Sequence, residues 1–161
     1  MNTNLVFRTG VMESDSLAIR EITESTGFFY DFEVDVAVEL INERLAKGEQ
    51  SGYYFVIAEI DDKPVAYTCF GPVPVTIGSF DLYWIVTHND YRNKGIGKKI
   101  LEQTYTLIRA MNGRAVYAET SGKAKYADTR AFYEKCNYTL DALQHDFYDV
   151  GDDKYVYKYK L

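Results

Sequence analysis

Cysteine is scarce in this chain: two among 161 residues, Cys69 and Cys136. Their placement excludes a disulfide framework. Histidine is as rare, and His88 and His145 lie far apart with no Cys-x-x-Cys, so no metal-ligand spacing is present. Only three prolines occur, and neither a low-complexity linker nor an internal repeat interrupts the chain. Long apolar runs are missing too. No stretch approaches the roughly 20 apolar residues of a membrane span, and Met1–Arg8 holds nothing long enough for a signal peptide, which leads to the expectation of a cytoplasmic protein. Positive charge is in deficit, with 18 Lys and Arg against 24 Asp and Glu and a formal net charge of −6. General binding to nucleic acid or to an anionic membrane needs an electropositive face, so neither is expected as a partner. An acidic surface suits a cationic amine, although solubility alone accounts for it equally well.

What is present is a large apolar fraction, 47%, enough for a substantial core and against disorder. The length fits one domain over residues 1–161 and is short for two. Fifteen tyrosines and nine phenylalanines suggest a sheet-rich protein with amphipathic aromatic surfaces.

The pattern along the chain predicts a strand at Asn4–Thr9, then a helix capped by Ser14 or Asp15 and running to about Ser25, with Leu17, Ile19 and Ile22 as its apolar positions. Thr26–Tyr30 reads as an aromatic loop. A helix over Val34–Ala46 carries Val34, Val38, Ile41 and Leu45 at helical spacing, and Gly48 stops it. Strands follow at Tyr53–Ile60, Lys63–Phe70 (or on to Val75) and Ser79–Thr87, the first two joined by a tight turn at Asp61-Asp62-Lys63. A long helix from about Gly95 to Met111 has Ile96, Ile100, Leu107, Ile108 and Met111 on one stripe, closed by Asn112-Gly113. Ala115–Glu119 is a strand, Ala127–Lys135 a helix, and Tyr138–Tyr148 and Tyr155–Leu161 are the last strands. A meander leading into a strand–helix–strand unit implies an α/β (α+β) protein whose mixed sheet has helices on both faces.

The richest chemistry lies where the third meander strand meets the long helix. Leu82–Thr87 ends a strand, a short polar loop follows, and Gly95 and Gly97 sit where the helix begins. Backbone N–H groups there have no intrahelical partner and the helix dipole favours negative charge. Glycine lets the backbone approach a phosphate closely, and Arg92, Lys94 and Lys98 add positive charge. The outline is that of a pyrophosphate cradle. A Walker loop is absent, and Ile100 stands where the dinucleotide fingerprint needs its third glycine.

What remains, Arg-x-x-Gly-x-Gly from Arg92 to Gly97, resembles the acyl-CoA signature of the GNAT superfamily of N-acetyltransferases, Gln/Arg-x-x-Gly-x-Gly/Ala. A second segment, Thr129 to Tyr138, resembles that family's last helix and following turn, and the order of elements agrees from residue 5 to 161. Three positions depart from the family pattern: Tyr126 replaces a frequent asparagine, Thr129 an alanine and Asn137 a glycine. Asn137 suits the left-handed conformation almost as readily as glycine does.

The resemblance implies a GNAT fold: a mostly antiparallel sheet of six to seven strands with a splay between the fourth and fifth. It implies acetyl-CoA as cosubstrate, no metal, and direct attack by an amine through a tetrahedral intermediate. On this reading Arg92, Asn93, Lys94, Gly95, Ile96, Gly97 and Lys98 hold the diphosphate. Ile85, Val86 and Thr87 line the pantetheine arm as if it were an added strand, a backbone N–H near Ile85 or Val86 polarises the thioester carbonyl, and Tyr126 touches cofactor or acceptor.

The acceptor amine arrives protonated and must lose a proton. Asp81 is the leading base, on the strand face of Tyr83 and Ile85. It starts about 13 Å from Ile85 at roughly 3.4 Å per residue, so a water relay is needed; Glu119 is the alternative. The resemblance also implies that Tyr133 faces the departing sulfur as hydrogen-bond or proton donor. Phe28, Phe29 and Tyr30 either wall the acceptor pocket or staple the first two helices together. The acceptor is read as a small-molecule amine, with a protein N-terminus or lysine as alternative and a non-catalytic acyl-CoA sensor as a third reading. The protein is expected as a monomer or homodimer.

Overall fold

The computed structural model describes residues 4–161; Met1–Thr3, part of the stretch read above for a signal peptide, lie outside the described residues. Along the chain run β1 (Leu5–Arg8), α1 (Asp15–Ser25), α2 (Asp31–Lys47), β2 (Tyr54–Ile60), β3 (Lys63–Pro72), β4 (Ser79–Thr87), α3 (Ile96–Ala110), β5 (Ala115–Ser121), α4 (Ala127–Lys135), β6 (Thr139–Asp149) and β7 (Asp152–Lys160). The strands form one seven-stranded mixed sheet in the order β1-β2-β3-β4-β5-β7-β6, mostly antiparallel, with β4 and β5 as a parallel pair. The chain gathers into two compact units, Met1–Gly71 with Trp84–Leu107, and Pro72–Tyr83 with Ile108–Leu161.

In the first unit the meander closes through Asp61 and Asp62, both at positive φ (50° and 61°), the backbone a two-residue hairpin turn requires. The β2–β3 ladder shifts register between Ala58 and Glu59, passing from Ala66 to Pro64 and leaving Val65 out. A bulge is where a strand tolerates proline, which has no N–H to give the ladder. The core of this unit joins Ile19 and Ile22 of α1, Ala37, Val38 and Ile41 of α2, Phe55 and Ile57 of β2, Tyr67 and Cys69 of β3, and Val86 of β4.

Two sequence expectations fail in α1. Leu17 is exposed rather than core, and Ser14 at the N-cap makes no side-chain cap bond. Asp15 is instead fully buried. It accepts two hydrogen bonds of 2.8 Å from the Arg8 guanidinium and one of 2.7 Å from the Met12 N–H. Arg8 also donates from Nε to Glu59 at 2.6 Å. A fork of fixed geometry matches a carboxylate better than a cap bond does, so Asp15 ties β1 to α1 instead of capping it. Helix α2 begins at Asp31, three residues earlier than expected, because the Tyr30 N–H donates to Glu33 Oε1 at 3.0 Å and closes the first turn.

Helix α3 buries Ile96, Ile100 and Ile108 as its periodicity predicts, but also Leu101, Thr104 and Tyr105, while Met111 falls beyond its end. Thr104 Oγ1 lies 2.8 Å from Thr68 Oγ1 of β3 and donates to the Ile100 carbonyl at 2.9 Å. Both threonines are fully buried. Thr104→Val is expected to cost about 1–3 kcal/mol by stranding Thr68, and Thr68→Val added to it should restore most of that, since two apolar partners leave nothing unpaired. Urea titration of the three variants checks this; a double variant as costly as the sum of the singles contradicts it.

In the second unit, Phe80 and Leu82 of β4, Val116 and Ala118 of β5, Tyr133 of α4, Tyr138 and Tyr157 are buried. After α3 it is Asn112 that takes the left-handed conformation (φ 61°), with the Gly113 N–H returning to the Ile108 carbonyl at 2.8 Å. Gly113 is needed for space: a Cβ there would stand 2.2 Å from Ile108 Cγ2. Strand β5 continues to Ser121 and β7 starts at Asp152, both longer than expected, because Glu119, Thr120 and Ser121 pair with Val156, Tyr155 and Lys154. Edge strand β6 leaves every residue exposed.

Candidate functional site

The candidate cradle lies wholly in the first unit. Strand β4 ends at Thr87, and the next N–H, that of His88, donates 2.8 Å to the carbonyl of Val65, the residue the β3 bulge leaves out of the ladder. Asn89 N–H reaches Ser25 Oγ at the end of α1, 3.0 Å away. His88 Nδ1 accepts from the Asp90 N–H at 3.1 Å, which fixes one turn of 3-10 helix at Asn89–Tyr91. His88 is thereby occupied in shaping the loop.

Arg92 then extends, Asn93 and Gly95 take positive φ (61° and 76°), and α3 starts at Ile96. The first helical bond runs from the Lys99 N–H to the Gly95 carbonyl at 3.3 Å. The N–H groups of Ile96, Gly97 and Lys98 precede it and have no acceptor within the helix. Ile96 is buried and pins the helix start, while Arg92, Asn93, Lys94, Gly95 and Lys98 are exposed. No acidic residue occupies the first turn of α3. A Cβ built on Gly95 meets nothing within 4 Å, so its open face is free of other protein. Unpaired amides, three cations and an open glycine on a left-handed turn fit an anion such as a diphosphate.

Upstream on β4, Val86 is buried in the first unit's core while Ile85 and Thr87 are half-buried. Of the aromatic loop, Phe29 packs against that core, its ring 5.0 Å from Trp84 and 5.1 Å from Phe28 in edge-on contact. Tyr30 is exposed and stacks on Phe32 at 5.6 Å. Phe29 therefore packs as a staple residue would, and Tyr30 turns outward.

The carboxylates and tyrosines lie in the second unit. Asp81 pairs in parallel with Tyr117, which places Glu119, two residues on, on the same face of the sheet. Burial raises the Asp81 carboxyl above its ordinary range; the neighbouring charge of Glu119 raises it further and Lys154 lowers it. Lys154 Nζ stands 3.4 Å from Glu119 Oε1 and 3.9 Å from the centre of the Phe147 ring. Tyr148 is pushed up to about 12, by burial first and then by Glu119, Asp152 and Tyr126. Lys154, Phe147 and Tyr148 thus join Asp81 and Glu119. None of these three is a site residue on the sequence alone. The signal available was strand alternation on β7, which places Lys154 on the face of Val156, the residue opposite Glu119.

Tyr126 precedes α4 and is half-buried. Tyr133 is buried within an aromatic cluster, 5.2 Å from the Tyr138 ring and 5.7 Å from that of Tyr157. Desolvation pushes its phenol well above the ordinary value, and Cys136 adds to this. The helix stops in the way its sequence suggests. Asn137 adopts φ 66°, and the Tyr138 N–H returns to the Tyr133 carbonyl at 2.9 Å. Cys69 is fully buried, which raises its thiol, and His145 pairs with Asp153 at 3.2 Å. Among the described residues no group of three His, Cys, Asp or Glu is placed to hold a metal ion, and no helix is long and apolar enough to cross a membrane.

Comparison with known proteins identifies the family and the fold. Residues 51–140 match the family model described as the acetyltransferase (GNAT) domain. A crystal structure of a Desulfovibrio desulfuricans protein assigned to the GNAT acetyltransferases is 43% identical, covers 97% of this chain and 98% of its own, and superposes with a TM-score of 0.95. The ribosomal-protein-S18-alanine N-acetyltransferase of Escherichia coli shares the fold at 16% identity, with coverage of 97% and 93% and a TM-score of 0.74. An aminoglycoside 6'-N-acetyltransferase complexed with coenzyme A does so at 13% identity, 96% coverage of both chains and a TM-score of 0.76. A search of curated proteins gave no match. With the family model over more than half its length and a 43% identical relative over nearly all of it, the chain belongs to the GNAT family of acetyltransferases.

Proposed function

We propose that this protein moves the acetyl group of acetyl-CoA onto the primary amine of a small molecule. The turn from Arg92 to Gly97 carries the reading: amides with no helical acceptor, an open Gly95 at positive φ and the cations Arg92, Lys94 and Lys98 suit the diphosphate of a coenzyme A. Asn93, Ile96 and Gly97 complete that turn. Acetyl-CoA supplies an acyl group already activated as a thioester. Main-chain groups of Ile85, Val86 and Thr87 bind and orient the pantetheine arm, and Tyr126 adds a side-chain contact. An N–H at Ile85 or Val86 donates to the carbonyl oxygen as negative charge builds there.

An aliphatic ammonium with a pKa near 10.4 needs a group that drains its proton. Asp81 takes that role through water, with Glu119 beside it, and Tyr133 donates a hydrogen bond at the departing sulfur. Phe28 and Tyr30 border the acceptor, with Phe29 holding them in place. The half-buried Asp81, close to Glu119 and Lys154, suits a compact amine better than a long peptide.

Release of free thiol from acetyl-CoA across a panel of small amines, with an alanine-initiated peptide as a further arm, tests the proposal. Turnover with small amines supports it. Turnover confined to the peptide moves the acceptor to proteins, and saturable CoA binding with no acceptor-dependent turnover makes the protein a sensor.

Asp81→Asn is expected to lower kcat/KM wherever Asp81 is ionised and the acceptor still protonated, from above the raised carboxyl value through neutral pH, and to approach wild type above about pH 10. A ratio of rates that stays flat with pH removes Asp81 from the mechanism. The same substitution should raise Tm slightly at neutral pH. The folded protein holds the Asp81 proton more tightly than the unfolded chain does, so stability falls as pH rises from the ordinary carboxylate range through the raised value. Above that value the ionised group is a net cost, which asparagine removes.

A further inference from the structure

The patch around Asp81 already contains an ammonium of the chain's own. Lys154, with a side chain only 12% exposed, is held between the Glu119 carboxylate at 3.4 Å and the Phe147 ring at 3.9 Å. A carboxylate on one side and an aromatic face on the other is the environment that binds an alkylammonium ion. The other charges nearby have partners of their own. Asp152 accepts from Ser121 Oγ and lies 3.9 Å from Lys123, Asp153 is paired with His145, and Lys158 covers the Tyr117 ring at 5.6 Å. Glu119 therefore holds Lys154, and Asp81 lies on the same face of the sheet, where Glu119 raises its carboxyl and Lys154 lowers it.

We propose that Lys154 selects the charge of the acceptor: by occupying Glu119, one of two carboxylates on this face, it leaves Asp81 to an amine with a single ammonium and disfavours one that carries a second. The inference rests on the acetyl transfer proposed above, since it takes Asp81 as the group the acceptor meets. A diamine approaching Asp81 would bring its second ammonium towards Lys154. Repulsion between like charges, and the loss of Glu119 as a free partner, then count against it.

The test compares hexylamine with hexane-1,6-diamine on wild type, Lys154→Gln and Lys154→Met, with Lys154→Arg as the charge-keeping control. Equilibrium binding to the CoA-loaded protein is measured by calorimetry, and kcat and KM by thiol release. Removing the charge should shift the diamine-to-monoamine ratio of binding constants about tenfold towards the diamine, the order expected of one unit charge roughly 10 Å away near a protein surface. The shift should reappear in KM rather than kcat, and Lys154→Arg should keep the wild-type ratio. A purely structural lysine would change both amines alike. A ratio unmoved in whichever of the Gln and Met variants folds overturns the proposal, and so does failure of both amines to bind any of the proteins. Binding with the expected shift but no thiol release sustains the role of Lys154 as a charge selector while overturning acetyl transfer.

Discussion

Gly95→Glu is expected to abolish the thermal stabilisation that coenzyme A confers, while leaving a folded protein. A ligand at about 100 times its Kd stabilises by about 2.7 kcal/mol. For a chain of this size each kcal/mol is worth roughly 2–4 °C, so wild type should gain about 5–10 °C and the variant nothing. Two separate effects are involved. Gly95 sits at φ 76°, where an L-residue costs about 1–2 kcal/mol, so the variant alone should melt a few degrees lower. That loss does not depend on ligand. Its carboxylate, in contrast, projects into space where the nearest protein atoms are more than 4 Å from the Cβ, and meets the diphosphate there as a like charge. Scanning calorimetry with and without CoA separates the two, because the strain lowers both melting points and the repulsion removes only their difference. An undiminished CoA response would place the diphosphate elsewhere.

Tyr133→Phe should reduce kcat about 100-fold with KM for acetyl-CoA nearly unchanged and little effect on Tm, the lower end of what a positioned proton donor contributes. The ring remains, so the packing against Tyr138 and Tyr157 is retained. Only the hydroxyl is lost. Burial holds that phenol well above its ordinary value, so it stays protonated throughout the working range of the enzyme. The proposed partner, a thiol with a pKa near 8.5, is the stronger acid, and full proton transfer to it is therefore uphill. A hydrogen bond donated to the developing thiolate is the contribution this tyrosine is suited to make. It follows that the deficit of the variant should be constant across pH, in contrast to that of Asp81→Asn. A loss below about threefold would return Tyr133 to a packing role; one that grows steeply with pH would point to ionisation of the tyrosine itself.

Much of the fold was legible in the chain. The bounds of β4 and α4 match the expected ranges: turn residues bracket β4, and α4 lies in the segment that resembles the family's last helix. The candidate cradle stands out for a related reason: a strand end, two glycines and three cations within a few residues are a local arrangement. Asn137 was expected to stand in for glycine at the end of α4, and its φ of 66° agrees. The misreadings came from contacts distant in sequence. Asp15 looks like a cap residue until β1 brings Arg8 to it. Leu17 fits an apolar stripe, yet α1 turns that position to solvent. Lys154 and Glu119 are 35 positions apart and meet because β7 lies beside β5.

Sequence alone determined the order of elements and the family and marked out the candidate turn from Arg92 to Gly97, since each is written in neighbouring residues through propensity, periodicity and backbone freedom. Tertiary structure decided which charges meet. It buried Asp15 under Arg8, drew Val65 out of its ladder to hold His88, and set Lys154 between Glu119 and Phe147. Electrostatic and hydrogen-bonding energies depend on distance and burial, and strand pairing fixes both only once the chain has folded.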